Sequence, residues 1–272
     1  MKTLINYRTI LTFFILAVFS SPGHSKYSGS TLKEESVSYV ANGVTLKGFV
    51  IYDESIKGKR PAVVIAPEWW GVNDYIRMRA RKLAELGYIA MGADMFGGGK
   101  IAANPKEAQE FTMPFYKDPG LAKTMIDAAI RKLKEFPQTD PDNVAAIGYC
   151  FGGYIVLNSA KLGSSLKGVV SFHGGLSGAP ADKNLLKIKI LVCHGADDKF
   201  VLPKDVASFK HQMDSIGADY TFRVYAHATH AFTNPDATKL GKEFNLPIAY
   251  NAEADRDSWN DMKVFFSKLF KK

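Results

Sequence analysis

The chain has 272 residues, of which 46% are hydrophobic and 23% charged. This composition is typical of a globular protein and excludes a disordered or collagen-like chain. Only two cysteines are present, Cys150 and Cys193, which excludes a disulfide scaffold and a multi-cysteine zinc site. The formal net charge of +8 is spread along the sequence without a run of five like charges, so we expect no nucleic-acid partner.

The first 25 residues have the pattern of a secretory signal peptide. Lys2 and Arg8 precede an apolar stretch at 10–18, and small or turn-forming residues follow as far as Ser25. A basic start, a short hydrophobic run and a small-residue cleavage region are the features of such signals. The apolar stretch is too short to span a bilayer comfortably. We therefore expect cleavage near Ser25 and export of residues 26–272, as one domain without a stable membrane anchor, to the periplasm or the medium.

The rest of the sequence predicts an α/β fold. Residues 26–35 are polar and we expect them to be irregular, and two strands at 36–41 and 44–53 are joined across Asn42-Gly43, a strong hairpin signal. Further predicted strands span 61–66, 88–93, 143–148, 167–172, 188–194 and 219–225, and predicted helices span 75–86, 119–136, 151–162, 203–216 and 255–270. This alternation predicts a mostly parallel sheet of about eight strands, with helices on both faces and the hairpin at one edge.

The segment Gly-Tyr-Cys-Phe-Gly at 148–152 lies between a predicted buried strand and a predicted helix. Small residues on either side of a nucleophile allow the sharp strand-to-helix turn that exposes it. The helix N-terminus would then favour the thiolate form of Cys150. The alternative is a buried structural cysteine beside a glycine-rich turn.

An acid and a base follow at the ends of later predicted strands. Asp198 comes after strand 188–194, and His230 comes after strand 219–225. The order nucleophile, acid, base is that of the α/β-hydrolase fold. In this interpretation His230 takes the thiol proton, Asp198 orients the imidazole, and Cys150 attacks a carbonyl carbon. The neighbouring Asp197 competes with Asp198 for the role of the acid.

Four segments make the chain resemble the dienelactone hydrolase family, whose members are α/β-hydrolases with a Cys-Asp-His triad. These segments are Pro-Glu-Trp-Trp-Gly-Val-Asn at 67–73, Gly-Tyr-Cys-Phe-Gly-Gly at 148–153, Gly-Ala-Asp-Asp at 195–198 with Val201, and His-Ala-Phe at 230–232. The resemblance covers residues 40–270 and implies a hydrolase of small-molecule esters or lactones. It also favours Asp198 over Asp197, through the match to Gly-x-x-Asp followed by valine.

The resemblance implies further site residues. Glu68 stands where the family has a glutamate that helps to switch the resting cysteine to its reactive thiolate, although a solvated loop carboxylate is the alternative interpretation. The backbone N–H groups of Trp69 and Phe151 stand where the family has an oxyanion hole, which depends on backbone geometry rather than on side chains. Neither a metal nor an organic cofactor is implied.

The sequence departs from the family at the residues that bind the carboxylate of the substrate. Members that cleave dienelactone hold that carboxylate with two arginines, one in the segment after the fourth strand and one four residues after the catalytic histidine. Here Asn234 is four residues after His230, and the segment 96–117 contains no arginine. The segment does contain Lys100, a candidate point charge, with Lys106 and Lys117. A lysine lacks the planar fork of arginine, so we predict a preference for neutral esters and lactones.

Other motifs receive structural interpretations. We expect the segment His-Gly-Gly at 173–175 to line the pocket at a strand end. The glycine-rich segment 97–100 lacks the serine or threonine of a phosphate loop. His227 has no nearby carboxylate motif that would complete a metal site with His230. We expect Cys193 to be a buried apolar residue, with one strand between it and the strand that precedes Cys150.

Two alternatives remain open for the function. The same three residues could transfer an acyl group to an alcohol or amine instead of water. A binding protein could also have kept the fold and lost turnover. The chain has no Cys-x-x-Cys segment, which gives a thiol-redox function little support. The oligomeric state cannot be inferred from the sequence.

Overall fold

The computed structural model describes residues 31–271, so the predicted signal peptide at 1–25 and the start of the predicted domain at residue 26 lie outside the described residues. The strands are β1 Leu32–Ala41, β2 Val44–Asp53, β3 Arg60–Ala66, β4 Ile89–Gly92, β5 Thr139–Tyr149, β6 Gly168–Phe172, β7 Lys189–Gly195 and β8 Tyr220–Tyr225. The helices are α1 Asp74–Glu85, α2 Pro105–Lys117, α3 Gly120–Lys134, α4 Phe151–Lys161, α5 Pro203–Ser215, α6 Ala237–Phe244 and α7 Ala252–Leu269.

The strands form one eight-stranded sheet in the order β1-β2-β4-β3-β5-β6-β7-β8. Strands β3 to β8 are parallel to one another, whereas β1 pairs with β2, and β2 with β4, in the antiparallel sense. Asn42 and Gly43 join β1 to β2 with φ angles of 50° and 74°, the left-handed backbone that a tight hairpin turn requires. The predicted mostly parallel sheet with an edge hairpin is confirmed.

The sheet is buried on both faces. Every residue of β4 and β6 is buried, as expected of parallel strands between two helical layers. Side chains alternate between the layers along β3: Val64 packs in the cluster that contains α3, α4 and α5, whereas Val63 and Ile65 pack in the cluster that contains α1 and α7. The apolar runs in the sequence therefore become central strands because both of their faces exclude water.

The expected irregular stretch at 26–35 is partly wrong, because β1 begins at Leu32. This strand is at the edge of the sheet, where charged residues are tolerated. Glu34 pairs with Arg77 and Arg81 on α1, and Glu35 accepts a hydrogen bond of 2.5 Å from the Tyr52 hydroxyl. The start of the strand was not predicted because its polar side chains gave no hydrophobic pattern, although they pair with α1 and β2 in the folded protein.

The glycine-rich segment at 97–100 wraps around a buried carboxylate. The carboxylate of Asp94 accepts hydrogen bonds of 2.8–3.0 Å from the backbone N–H groups of Phe96, Gly97, Gly99 and Lys47. These N–H groups are therefore already engaged by the protein, which agrees with the interpretation that the segment is not a phosphate loop. Across residues 31–271, no helix combines the length and hydrophobicity that crossing a membrane requires.

Candidate active site

The elbow after β5 holds Cys150 in an unusual backbone conformation. Cys150 is the N-cap residue of α4, with φ 54° and ψ −115°, in a region that non-glycine residues rarely occupy. A Cβ atom at position 148 would overlap the carbonyl oxygen of Gly152, and one at position 152 would overlap that of Ala66. Glycine is therefore required on both sides for the turn to close and present the sulfur at the carboxyl end of the sheet.

Three side chains from different strand ends form one hydrogen-bonded row. His230 Nε2 is 3.0 Å from Cys150 Sγ, and His230 Nδ1 is 2.8 Å from Asp198 Oδ2. The second oxygen of Asp198 accepts the backbone N–H groups of Phe200 and Val201 at 2.8 and 3.1 Å. The carboxylate is thus fixed at both oxygens, and the imidazole it contacts is held against the sulfur.

The adjacent aspartate takes no part in this row. Asp197 is exposed, whereas Asp198 is buried and makes the contact with His230. Of the two candidates for the acid, Asp198 is therefore the one whose carboxylate lies next to the imidazole.

The neighbours of His230 and Asp198 shift the pKa values of both groups. Burial by itself lowers the pKa of His230, but the adjacent Cys150 and Asp198 outweigh burial and raise the pKa to about 10. Burial pushes the pKa of Asp198 upward, and hydrogen bonds from His230 and from backbone N–H groups bring it below its ordinary value. The imidazole is thus held between a carboxylate and a sulfur atom, an arrangement in which it can exchange a proton with a reacting group.

Glu68 lies in the same cavity and is buried, with 2% of its surface exposed. The interpretation of Glu68 as a solvated loop carboxylate is therefore wrong. Its Oε2 accepts a hydrogen bond of 2.7 Å from Asn234 Nδ2. Burial raises the pKa of Glu68 to about 7, and the Asn234 hydrogen bond and the charge of His230 oppose that rise. Asn234, noted in the sequence only as a missing arginine, thus holds Glu68 with a neutral amide.

Trp69 and Phe151, whose backbone N–H groups the resemblance implies as an oxyanion hole, lie at the same cavity as Cys150. Both line the cavity together with Cys150, and Phe151 is the first residue of α4. Within residues 31–271, neither backbone N–H donates to a protein acceptor. An oxyanion hole requires N–H groups that are free of protein acceptors in this way.

The row opens into a cavity of about 680 Å³. Its walls are largely apolar and aromatic: Trp69, Trp70, Tyr116, Phe151, Phe200, Val201, Leu240, Leu246 and Ile248. A cavity of this size accommodates a small organic molecule. Among residues 31–271, the wall carries one lysine, Lys106, which is exposed, and no arginine. The candidate point charge Lys100 lies over the Phe111 ring at 5.5 Å and does not line the cavity.

Two helices that the sequence analysis missed supply part of these walls. Helix α2 contributes Lys106 and Tyr116, and helix α6 contributes Leu240. A start signal for α2 is present in the sequence: the Asn104 side chain caps the backbone N–H of Glu107, and Pro105 is in the first turn.

The remaining motifs have structural positions. The segment 173–175 reaches the cavity through Gly175, which lines it, whereas the side chain of His173 is fully buried. His227 is an exposed turn residue with φ 57°. No group of three potential metal ligands occurs within residues 31–271. Cys193 is buried and unpaired, with β6 between its strand and that of Cys150, as expected.

A parallel sheet with a nucleophile elbow, and an acid and a histidine at later strand ends, defines an α/β-hydrolase. The dienelactone hydrolase family profile matches residues 46–270. The chain therefore belongs to the dienelactone hydrolase family, and it is a hydrolase of ester or lactone bonds.

Known proteins agree with this assignment. "Protein usf" of Aquifex pyrophilus is 26% identical over 239 residues, covering 86% of this chain and 98% of that protein. The crystal structure of a dienelactone hydrolase-like promiscuous phosphotriesterase from metagenomic libraries is 34% identical, with a TM-score of 0.84 over 89% of this chain and all of that chain. An esterase of Thermogutta terrifontis, phosphorylated by paraoxon, shares the fold with a TM-score of 0.63 at 17% identity, over 87% of this chain and 94% of that one.

Proposed function

We propose that the protein hydrolyses neutral esters or lactones through a covalent thioester on Cys150. One observation carries the proposal: the unbroken row from Cys150 Sγ through the His230 imidazole to Asp198, with contacts of 3.0 and 2.8 Å. The row lies in a largely apolar cavity beside two backbone N–H groups without protein acceptors.

Acylation begins when the Cys150 thiolate attacks the carbonyl carbon. A carbon–sulfur bond forms, and the carbonyl oxygen takes the negative charge and accepts hydrogen bonds from the N–H groups of Trp69 and Phe151. The intermediate collapses and breaks the bond to the leaving oxygen, which takes the proton of the His230 imidazolium. The products of this half-reaction are an alcohol, or the open end of a lactone, and a thioester on a now neutral site.

Deacylation uses the same groups in reverse. Neutral His230 takes a proton from a water molecule as its oxygen attacks the thioester carbon, and the tetrahedral intermediate expels the Cys150 thiolate. The acid leaves, and the thiolate–imidazolium pair is restored. Asp198 keeps the imidazole in the orientation that serves both steps.

Glu68 is proposed as the switch of the resting thiol, by its correspondence with the family's glutamate. Its burial and its place on the cavity wall support this role. A carboxylate near the sulfur disfavours thiolate, whereas a neutral carboxyl group does not. Asn234 donates a hydrogen bond to Oε2 of this carboxyl group and so fixes its position beside the cavity.

The substrate preference follows from the charges on the wall. With no arginine and one exposed lysine lining the cavity, a carboxylate on the substrate would lose its water without gaining a bidentate partner. Each missing charge-assisted hydrogen bond costs about 1.5–3 kcal/mol. Neutral esters and lactones avoid that cost.

A burst experiment tests the proposal. Mixing the enzyme with a p-nitrophenyl ester should release about one equivalent of p-nitrophenol rapidly, followed by slower turnover. The Cys150→Ala variant should show neither phase. Faster turnover on adding an alcohol, with ester product formed, would indicate acyl transfer instead of hydrolysis. Binding of the ester without release would indicate a binding protein.

A second candidate activity is the hydrolysis of neutral phosphotriesters. The observation that favours it is the 34% identity to a protein described as a promiscuous phosphotriesterase, across the whole of that chain. Phosphotriesters carry no carboxylate and suit an apolar wall. Release of p-nitrophenol from diethyl p-nitrophenyl phosphate by the wild type, and none by Cys150→Ala, would establish it.

Export is proposed from the signal-like pattern of residues 1–25. N-terminal sequencing of the protein recovered outside the cytoplasm should begin near Lys26. Soluble cytoplasmic protein that retains residues 1–25 would remove this part of the proposal.

A further inference from the structure

A fully buried histidine, unused in the steps above, contacts the backbone of the nucleophile. His173 follows β6 with φ 41° and has no exposed surface. Its Nδ1 accepts the Cys150 backbone N–H at 3.1 Å, and the same N–H lies 3.0 Å from the Phe172 carbonyl oxygen. The imidazole ring also packs edge-to-face against His230, with ring centroids 5.3 Å apart.

The other side of the His173 ring fixes its tautomer. Nδ1 faces an N–H donor, so in the neutral ring Nδ1 is the unprotonated nitrogen and Nε2 carries the hydrogen. Nε2 is 2.7 Å from the Thr233 hydroxyl, which is 2.6 Å from the Tyr75 hydroxyl. Burial, reinforced by the charges of His230 and Arg79, lowers the pKa of His173 well below its usual value. The ring therefore stays neutral beside the imidazolium of His230.

The far end of this chain of hydrogen bonds is anchored by a buried ion pair. Arg79 on α1 donates to the Tyr75 hydroxyl at 3.3 Å and to the Thr233 carbonyl oxygen, and it pairs with Asp255 on α7 at 2.6 Å. Thr233 lies three residues after His230 in the same loop. The network therefore joins the elbow that carries the sulfur to the loop that carries the base.

We propose that His173 is a positioning residue, which, as its Nε2–H tautomer held by Thr233, sets the place of Cys150 Sγ relative to His230. This role rests on the proposed function, in which Cys150 is the nucleophile. The positive φ of Cys150 is a conformation that an L-residue adopts only when its surroundings enforce it. The His173 acceptor is one such constraint, and it acts through the backbone rather than on the substrate.

Nitrogen NMR of the full-length, ¹⁵N-histidine-labelled protein tests the tautomer. The His173 signals, assigned by their loss in His173→Gln, should show an unprotonated Nδ1 and a protonated Nε2. A protonated Nδ1 would overturn the proposal, because that nitrogen could not accept the Cys150 N–H. This measurement needs no substrate, so its outcome is independent of whether Cys150 is the nucleophile.

A matched pair at Thr233 tests the positioning. Thr233→Val keeps the shape but removes the hydroxyl that holds Nε2–H, whereas Thr233→Ser keeps the hydroxyl. We expect Thr233→Val to lower kcat about 10-fold, the effect of a small misplacement of reacting groups, and to slow iodoacetamide alkylation of Cys150. KM should hardly change, since Thr233 does not line the cavity. Thr233→Ser should keep most of the activity.

The failure of the positioning role can be distinguished from the failure of the nucleophile assignment. Equal kcat and equal alkylation rates in Thr233→Val and Thr233→Ser would overturn the positioning role while leaving the nucleophile assignment intact. Wild-type activity in Cys150→Ala would remove the proposed function itself. His173→Gln, whose amide can accept from Cys150 and donate to Thr233, should retain more kcat than His173→Ala, and the reverse order would also overturn the proposal.

Discussion

The side-chain amide of Asn234 donates a hydrogen bond of 2.7 Å to the buried carboxylate of Glu68. The two residues are 166 positions apart in the sequence, and the loop after β8 brings them together beside Cys150. Because the partner is a neutral amide rather than a cation, burial dominates and raises the pKa of Glu68 to about 7. A carboxyl group that titrates near neutral pH is thus placed on the cavity wall.

This relationship predicts a pH-dependent effect of Glu68→Gln on stability. The folded chain keeps the Glu68 proton to higher pH than the unfolded chain, whose ordinary value is 4.5. The contribution of Glu68 to stability therefore falls as pH rises from that value to about 7, and it stays at the lower level above that pH. Glutamine removes this cost, so the Tm of the variant relative to wild type should be higher at about pH 8 than at about pH 5.

The control for that comparison is Glu110→Gln, which alters an exposed carboxylate on α2. Its Tm difference from wild type should change little between the two pH values. Glu68→Gln should also change the pH dependence of Cys150 alkylation, because a carboxylate near the sulfur disfavours the thiolate. If Glu68→Gln raises Tm more at about pH 5 than at about pH 8, the pKa of Glu68 is not raised in the folded protein.

Cys150 and His230 should behave as one unit. Cys150→Ala and His230→Ala should each lower kcat at least about 10³-fold, and the double variant should lose little more, because residues that act together are not additive. Cys193→Ala is the matched control, since Cys193 is buried, and burial raises the pKa of its thiol to about 12. That variant should remain active. If the fold-loss in kcat of the double variant equals the product of the two single losses, the two residues act independently.

The two neighbouring aspartates provide a paired test of the acid. Asp198→Asn replaces the carboxylate 2.8 Å from His230 Nδ1 and should lower kcat about 10²- to 10⁴-fold, because the imidazole loses its orienting charge. Asp197→Asn changes an exposed side chain and should leave kcat within about twofold. The opposite order would move the role of the acid by one position.

Hydrophobic runs were enough to predict the sheet, because its central strands are buried on both faces and need no polar pattern. The bounds of β2 agree with the sequence prediction, and those of β3 and β6 differ from it by one residue. Because the carboxyl ends of parallel strands meet at one edge of a sheet, the sequence also predicted that Cys150, Asp198 and His230 lie at the same edge. These positions could be predicted because each residue follows a predicted strand and Cys150 is also flanked by glycines, which are local features of the sequence.

Other features depended on contacts that no local pattern carries. Helix α2 has only three buried residues, Ala108, Thr112 and Phe115, so its apolar stripe was too weak to detect. His173 is buried against partners from the elbow after β5 and from the loop after β8. Asn234 was noted as a missing arginine, and its hydrogen bond to Glu68 appears only when the two loops meet.

The absence of arginine from the cavity wall predicts a substrate preference. For a matched pair, a lactone that carries a carboxylate and its neutral methyl ester, kcat/KM should be higher for the methyl ester. The loss of one charge-assisted hydrogen bond corresponds to roughly a 10-fold or larger effect. Lys106→Met should leave the rate with the neutral ester nearly unchanged. A tenfold advantage for the acid would show that another cation serves the cavity.

The most direct test of the thioester account is to trap the acyl-enzyme. The enzyme is mixed with p-nitrophenyl acetate, quenched in acid during the burst, and analysed by intact mass and by peptide mapping. The account predicts one acetyl group on the peptide that contains Cys150, removed by neutral hydroxylamine and absent from Cys150→Ala. Turnover by the wild type with an acetyl group on any other residue, or undiminished turnover by Cys150→Ala, would contradict it.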